Sequence, residues 1–129
     1  MSEKSFWGNI TPTKITNLVS PFAILEKQGE QLAKGTAGEL SGRTVRGGQY
    51  GNEFVIDFYI YAPKLGQYTY PVLKVTHGLG MYPLRLREHG EHDEITCKDV
   101  DEFETTLKNI LSSERIHNVI NSLLAQMPD

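Results

Sequence analysis

Two histidines and the only cysteine of the chain lie close together in the segment REHGEHDEITC, residues 87–97. Imidazole nitrogen and thiolate sulfur bind Zn²⁺ and similar ions well, and a neighbouring carboxylate can add an oxygen ligand. His89, His92 and Cys97 are therefore the candidate metal ligands. Structural zinc sites usually take paired ligands from two separated places in a chain, whereas this chain offers one cluster. The segment fits a solvated loop better, and we expect no bound metal or other cofactor.

Cys97 is also the only thiol that could act as a nucleophile, with a histidine as its base. Acidic residues surround it in the sequence, and negative charge raises the pKa of a thiol and lowers its thiolate fraction. No other coherent catalytic set is visible, so the sequence favours a protein that is not an enzyme. A metal-dependent enzyme that uses His89, His92 and Cys97 is the alternative.

The acidic residues of the chain are concentrated in one segment, residues 88–104. It carries eight carboxylates and one basic residue, Lys98, while the whole chain has a formal net charge of −3. Such a segment repels phosphate and can attract a basic protein. Glu91, Asp93 and Glu94 are its candidate partner-binding residues. The alternative is a solvated loop that leads into an acidic helix start.

Composition argues against nucleic acid and membrane as partners. The isoelectric point is near 5.8, and five basic residues that could line up on one sheet face are spread over several predicted strands: Arg43, Arg46, Lys74, Arg85 and Arg87. No apolar stretch reaches the length of a membrane span, and the first residues do not resemble a signal peptide. A single cysteine fits a reducing compartment. We therefore expect a soluble, cytoplasmic protein.

Helices are predicted at both ends of the sequence. Ser20 suits an N-cap, Pro21 suits a first helical position and Gly35 suits a helix end, so we expect a helix between them. The interior Gly29 costs about 1 kcal/mol relative to alanine and suggests close packing against a neighbour. Near the C-terminus, Asp99 is a predicted N-cap, and a break at residues 112–114 predicts two consecutive helices.

The middle of the chain alternates with a period of two residues and predicts strands at 38–46, 53–62, 68–77 and 81–88, with a glycine-rich connection at 47–52. Pro71 removes a backbone donor and suggests an edge or a bulge. The strand at 53–62 separates two faces: Phe54, Ile56, Phe58 and Ile60 on one, and Val55, Asp57, Tyr59 and Tyr61 on the other.

The second of these two faces is the more promising binding surface. Strict alternation would also bring Tyr70 and Lys74 of the neighbouring strand to it. Tyrosines mixed with a few charges are typical of contact surfaces, because each offers a large rigid area with a polar tip. The candidate residues are Asp57, Tyr59, Tyr61 and Tyr70. A helix that covers this face is the alternative, since alternation does not say which face is buried.

Together these features predict an α+β fold with an N-terminal helix, an antiparallel meander of four or five strands, and a C-terminal helix pair packed on the sheet. We expect residues 20–129 to form one domain, preceded by a segment, residues 1–19, that is partly ordered or packed on it. In outline this order is similar to small secretion chaperones and immunity proteins. That outline, with the missing catalytic set, implies an accessory module that binds a protein, and leaves a homodimer open. A domain that binds a small molecule between helix and sheet is a further alternative.

Overall fold

In a computed structural model of the protein, residues 6–8 and 19–128 are described. Over these residues the chain forms three helices and five strands. In chain order they are α1 (Pro21–Gly35), β1 (Ser41–Tyr50), β2 (Glu53–Ala62), β3 (Tyr68–His77), β4 (Leu84–Glu88), β5 (Ile95–Cys97), α2 (Val100–Leu111) and α3 (Glu114–Ala125). The predictions for residues 1–19 lie largely outside the described residues.

The five strands form one antiparallel sheet in the order β1-β2-β3-β4-β5, so each strand pairs with its neighbour in sequence. Short turns join consecutive strands, which makes this meander the simplest way to connect them. The predicted α+β fold, with its meander and its flanking helices, is confirmed.

Two predicted boundaries in the sheet were wrong. The first strand begins at Ser41 and continues to Tyr50, so the glycines predicted as a connection lie within it. They are accommodated by an irregularity, because the pairing with β2 shifts register between Arg46 and Gln49. The residues just before Asp99, predicted as a plain approach to a helix, form the three-residue strand β5.

The core lies between one face of the sheet and the three helices. The inward side chains of β2 to β4 join those of the helices in a single apolar cluster. Its members include Leu25 of α1, Ile56, Phe58, Val75, Leu84 and Leu86 of the sheet, Phe103 and Leu107 of α2, and Ile116 of α3. The face of β2 that bears Ile56 and Phe58 is therefore the covered face.

Helix α1 lies directly on β1 through two glycines. A Cβ atom added to Gly29 would lie 2.9 Å from the Cα of Gly42, and one added to Gly42 would lie 2.4 Å from the Cα of Gly29. Separations this short leave no room for a side chain at either position. The predicted role of Gly29 in close packing is confirmed.

The helix starts follow the predicted capping residues. Ser20 Oγ accepts the backbone N–H of Ala23 at 3.1 Å, and Asp99 Oδ1 accepts that of Glu102 at 2.9 Å. The Glu102 carboxylate in turn accepts the N–H of Lys98, and Ser113 caps α3 through the N–H of Ile116. Satisfying these backbone donors sets the point at which each helix begins.

Candidate functional site

The outward side of the sheet carries most of the candidate side chains. Register places Arg43 of β1 opposite Tyr59, Asp57 opposite Lys74, and Lys74 opposite Arg87, and side chains opposite each other share a face. We call the outward residues Arg43, Asp57, Tyr59, Tyr61, Lys74 and Arg87 the open face. None of the three described helices packs on it, because their buried residues belong to the core on the other side.

One of the two tyrosines of the open face, Tyr61, is held by a neighbouring arginine. The guanidinium carbon of Arg43 lies 3.8 Å from the centre of the Tyr61 ring, a cation–π contact. Tyr59 and Tyr61 are both partly buried. Val55, further along the same face of β2, is only 6% exposed although it lies outside the core cluster. The open face therefore has an ordered aromatic centre with charges around it.

Tyr70 does not belong to this face, and the prediction that it shares a face with Lys74 was wrong. The pairing of β2 with β3 shifts register between Phe58 and Tyr59, so that Val72 is an extra residue in β3. One extra residue turns every side chain beyond it to the opposite face. Tyr70 therefore lies opposite Ile60 and packs against the core, beside α3. The bulge that Pro71 suggested is confirmed, and it is the reason for this correction.

Tyr70 is one of three groups that hold Arg115 of α3. The Arg115 guanidinium donates to Glu88 Oε2 at 2.8 Å, to the carbonyl of His89 at 2.7 Å and to the Tyr70 hydroxyl at 3.2 Å. The hydrogen bond to Tyr70, with the negative charges of Glu88 and Glu91 nearby, raises the pKa of Arg115. The arginine joins α3 to β3 and to the end of β4. Sequence reasoning missed this residue, since nothing local marks a first-turn arginine as an anchor.

The basic residues of the open face are incompletely paired. Lys74 Nζ lies 3.9 Å from Asp57 Oδ1, the length of a weak ion pair, and Arg87 has no ion pair with any described carboxylate. Lys74 and Arg87 are directly opposite each other on β3 and β4. Like charges in that position repel. They line a depression of about 330 Å³ together with Asp57, Pro71 and Glu91, among others.

The neighbouring arginine is fully engaged. Arg85 makes two hydrogen bonds of 2.9 Å to the carboxylate of Glu53 and lies 3.5 Å from Glu94 Oε1. The hydrogen bonds between Arg85 and Glu53 hold the pKa of the glutamate below its usual range and raise that of the arginine. Charge at Arg85 is therefore largely neutralised within the sheet, unlike that at Arg87.

Half of the carboxylates in the segment 88–104 have partners within the fold. Glu88 pairs with Arg115, Glu94 with Arg85, and Asp99 and Glu102 cap α2. Glu91 and Asp93 are exposed in the loop between β4 and β5 and make no ion pair with any described residue. Of the three predicted partner-binding acids, only Glu94 forms an ion pair with a described residue, Arg85 of β4.

The candidate metal ligands are not brought together. Cys97 is buried in the core, and its Sγ donates to Thr106 Oγ1 of α2 at 3.7 Å. Burial, with Glu102 and Asp99 nearby, raises the pKa of the thiol. His92 is exposed in the loop, and the ring of His89 lies edge-on to Tyr70. Within the described residues, no three His, Cys, Asp or Glu side chains are arranged to hold a metal ion.

A second concave surface lies between β3 and α3. It has a volume of about 540 Å³ and combines Tyr68, Tyr70 and Leu65 with one face of α3, formed by Asn118, Val119, Ser122, Leu123 and Gln126. Its lining residues carry no formal charge. Its polar side chains are the two tyrosines and three residues spaced four apart, Asn118, Ser122 and Gln126.

No family model, curated protein or solved structure matches this chain. None of the helices in the described part of the chain has the length and apolar character needed to cross a membrane. The geometry of the molecule is thus the basis for a functional assignment.

Proposed function

We propose that this protein is a non-enzymatic interaction module that binds a protein partner through the open face. The observation that supports the proposal is a five-stranded sheet whose outward side is not covered by any described helix and bears an ordered aromatic centre. Aromatic rings with polar tips are enriched in the cores of protein interfaces, because they bury a large area at low entropic cost.

The acidic segment is the weaker of the two predicted binding surfaces. Four of its carboxylates are engaged in capping or in ion pairs. The other four are exposed and make no ion pair among the described residues: Glu91, Asp93, Asp101 and Glu104. Exposed acids of this kind contribute little binding energy individually. Glu91 also lines the depression of the open face, so it would act at the rim of that surface.

The test is affinity capture from the source cells with two matched variants. One replaces Tyr59 and Tyr61 by serine, and the control replaces Tyr68, a tyrosine that is 45% exposed in the groove beside α3. We expect a protein that is retained by the unchanged chain and by Tyr68→Ser and lost with the double variant. Circular dichroism checks that each variant is folded.

The proposal fails if every protein that the unchanged chain retains is also retained by the Tyr59→Ser, Tyr61→Ser variant. A retained protein that is a second copy of the chain would instead identify the open face as a homodimer interface. Sedimentation of the purified protein distinguishes the homodimer from a complex with another protein, since only the homodimer forms without the second protein.

A small-molecule site is the second candidate function, and the uncharged groove between β3 and α3 supports it. Its volume is in the range of ligand sites, and its amide and hydroxyl groups suit a neutral, hydrogen-bonding ligand. Thermal-shift screening of neutral and charged compounds tests this function, because a bound ligand raises the unfolding temperature. A hit that Ser122→Leu abolishes and Tyr59→Ser leaves unchanged would support it. A full screen without a hit would count against it.

A further inference from the structure

We infer that the segment docked on the open face is acidic and presents carboxylate groups to Lys74 and Arg87. This inference rests on the proposed function and specifies the chemistry of its partner. It reverses the expectation from the sequence, in which the acidic residues of the chain predicted a basic partner.

The first argument is the position of the two cations. Lys74 and Arg87 face each other across β3 and β4, where like charges repel. The Lys74–Asp57 contact of 3.9 Å relieves this repulsion only weakly, and no described carboxylate forms an ion pair with Arg87. A carboxylate placed between the two cations would be attracted by both. Without such a carboxylate, the two cations repel each other and contribute no comparable attraction to the folded protein.

The second argument is the contrast with Arg85 on the same strand. Arg85 is matched by two carboxylates of this chain, Glu53 and Glu94. This fold can therefore place carboxylates beside an outward arginine. It places none of the described carboxylates in an ion pair with Arg87. Arg43 likewise forms no ion pair with a described carboxylate, and it lies against Tyr61, so it adds a third positive charge to the open face.

The charges that line the depression favour a peptide over a nucleic acid as its ligand. Three carboxylates, Asp57, Glu88 and Glu91, line it together with the two cations, and Glu88 is already paired with Arg115. The continuous charge of a phosphodiester backbone would be repelled by these acids and by the chain's net charge of −3. A peptide with spaced carboxylates can reach the cations, and its intervening side chains can contact the tyrosines.

The experiment is a titration of isotope-labelled protein, followed by amide NMR, with three probes at up to millimolar concentration. The first is a peptide that alternates glutamate with threonine and valine. The second is the same peptide with lysine in place of glutamate, and the third is a single-stranded oligothymidylate. We expect the acidic peptide to shift the amide signals of Lys74, Arg87 and their neighbours, more strongly at low salt than at physiological salt, because screening weakens the attraction.

Variants with equal changes of net charge provide the control. Arg87→Glu is compared with Lys27→Glu, which reverses an exposed lysine on α1 that has no ion pair among the described residues. We expect Arg87→Glu to weaken binding of the acidic peptide about fivefold or more and Lys27→Glu to change it less than about twofold. Lys74→Glu should act like Arg87→Glu, so a folding defect in one variant leaves the other to decide.

The inference is overturned if the acidic peptide shifts none of these signals, or if the lysine peptide or the oligothymidylate shifts them as strongly. It is also overturned if Arg87→Glu and Lys27→Glu bind the acidic peptide equally well. These results are distinguishable from failure of the proposed function. A partner captured through Tyr59 and Tyr61 whose binding is unchanged by Arg87→Glu and Lys74→Glu would preserve the proposed function and remove the acidic chemistry.

Discussion

Alanine substitutions at the contact between α1 and β1 should destabilise the protein in a definite order. In Gly29→Ala the new methyl group would lie 2.9 Å from the Cα of Gly42 and 3.0 Å from its carbonyl oxygen. Both are backbone atoms, so the helix itself has to move. Overpacking of this kind costs about 1–3 kcal/mol, against about 1 kcal/mol gained in helix propensity. We expect a net loss of up to about 2 kcal/mol.

Gly42→Ala should be the more damaging change. Its Cβ would lie 2.4 Å from the Cα of Gly29 and 3.0 Å from the Phe58 ring, and a strand position brings no gain in helix propensity. We expect a loss of about 2–3 kcal/mol. The double variant should lose less than the sum of the two, because one displacement of α1 makes room for both methyl groups.

Gly35→Ala is the matched control, since a Cβ atom at this position of α1 would meet nothing within 4 Å. It should leave the stability unchanged or raise it by up to about 1 kcal/mol through helix propensity. Equilibrium unfolding in urea measures all four variants, with the slope of the transition as a check for a common mechanism. A Gly42→Ala protein as stable as the unchanged one would refute the direct contact between α1 and β1.

Two further predictions concern titratable side chains. Burial, with Glu104 nearby, raises the pKa of Tyr82 to about 12, so the folded state keeps this proton more tightly than the unfolded chain and stability should fall as pH rises above about 10. Tyrosinate absorbance should therefore show one late-titrating group that Tyr82→Phe removes; a curve unchanged by that substitution would contradict the assignment. Burial likewise raises the pKa of the Cys97 thiol, and we expect a thiol reagent to react with the folded protein much more slowly than with the urea-unfolded chain. Equal rates in the two states would show that Cys97 is not in the core.

Local signals predicted the helices well, because a capping residue and the donor that it satisfies lie within a few positions. Ser20 and Asp99 accept the backbone donors expected of them, and Pro21 is the first residue of α1. The alternation of β2 also separated its two faces correctly. It could not identify the covered face, because that depends on where α1, α2 and α3 pack, which is set by contacts distant in sequence.

The bulge in β3 limited the prediction of which residues share the open face. Pro71 indicated an irregularity, but the position of the extra residue and its effect on facing depend on the pairing with β2. One residue of shift separated Tyr70 from Lys74 and made Tyr70 a contact of Arg115. Arg87 was visible in the sequence as a basic residue. Whether a carboxylate comes within reach of it depends on strand pairing, and none of the described carboxylates forms an ion pair with it.

The net charge of the chain is a poor guide to the partner that we propose for its open face. The excess of acids lies in residues 88–104, where four of eight carboxylates are bound within the fold. The sheet turns Arg43, Lys74 and Arg87 outward on the side that the helices leave uncovered. Attraction at short range depends on these local charges, because physiological salt largely screens exposed charges that are more than about 8 Å away. A protein with a net charge of −3 can therefore present a surface that selects an acidic partner.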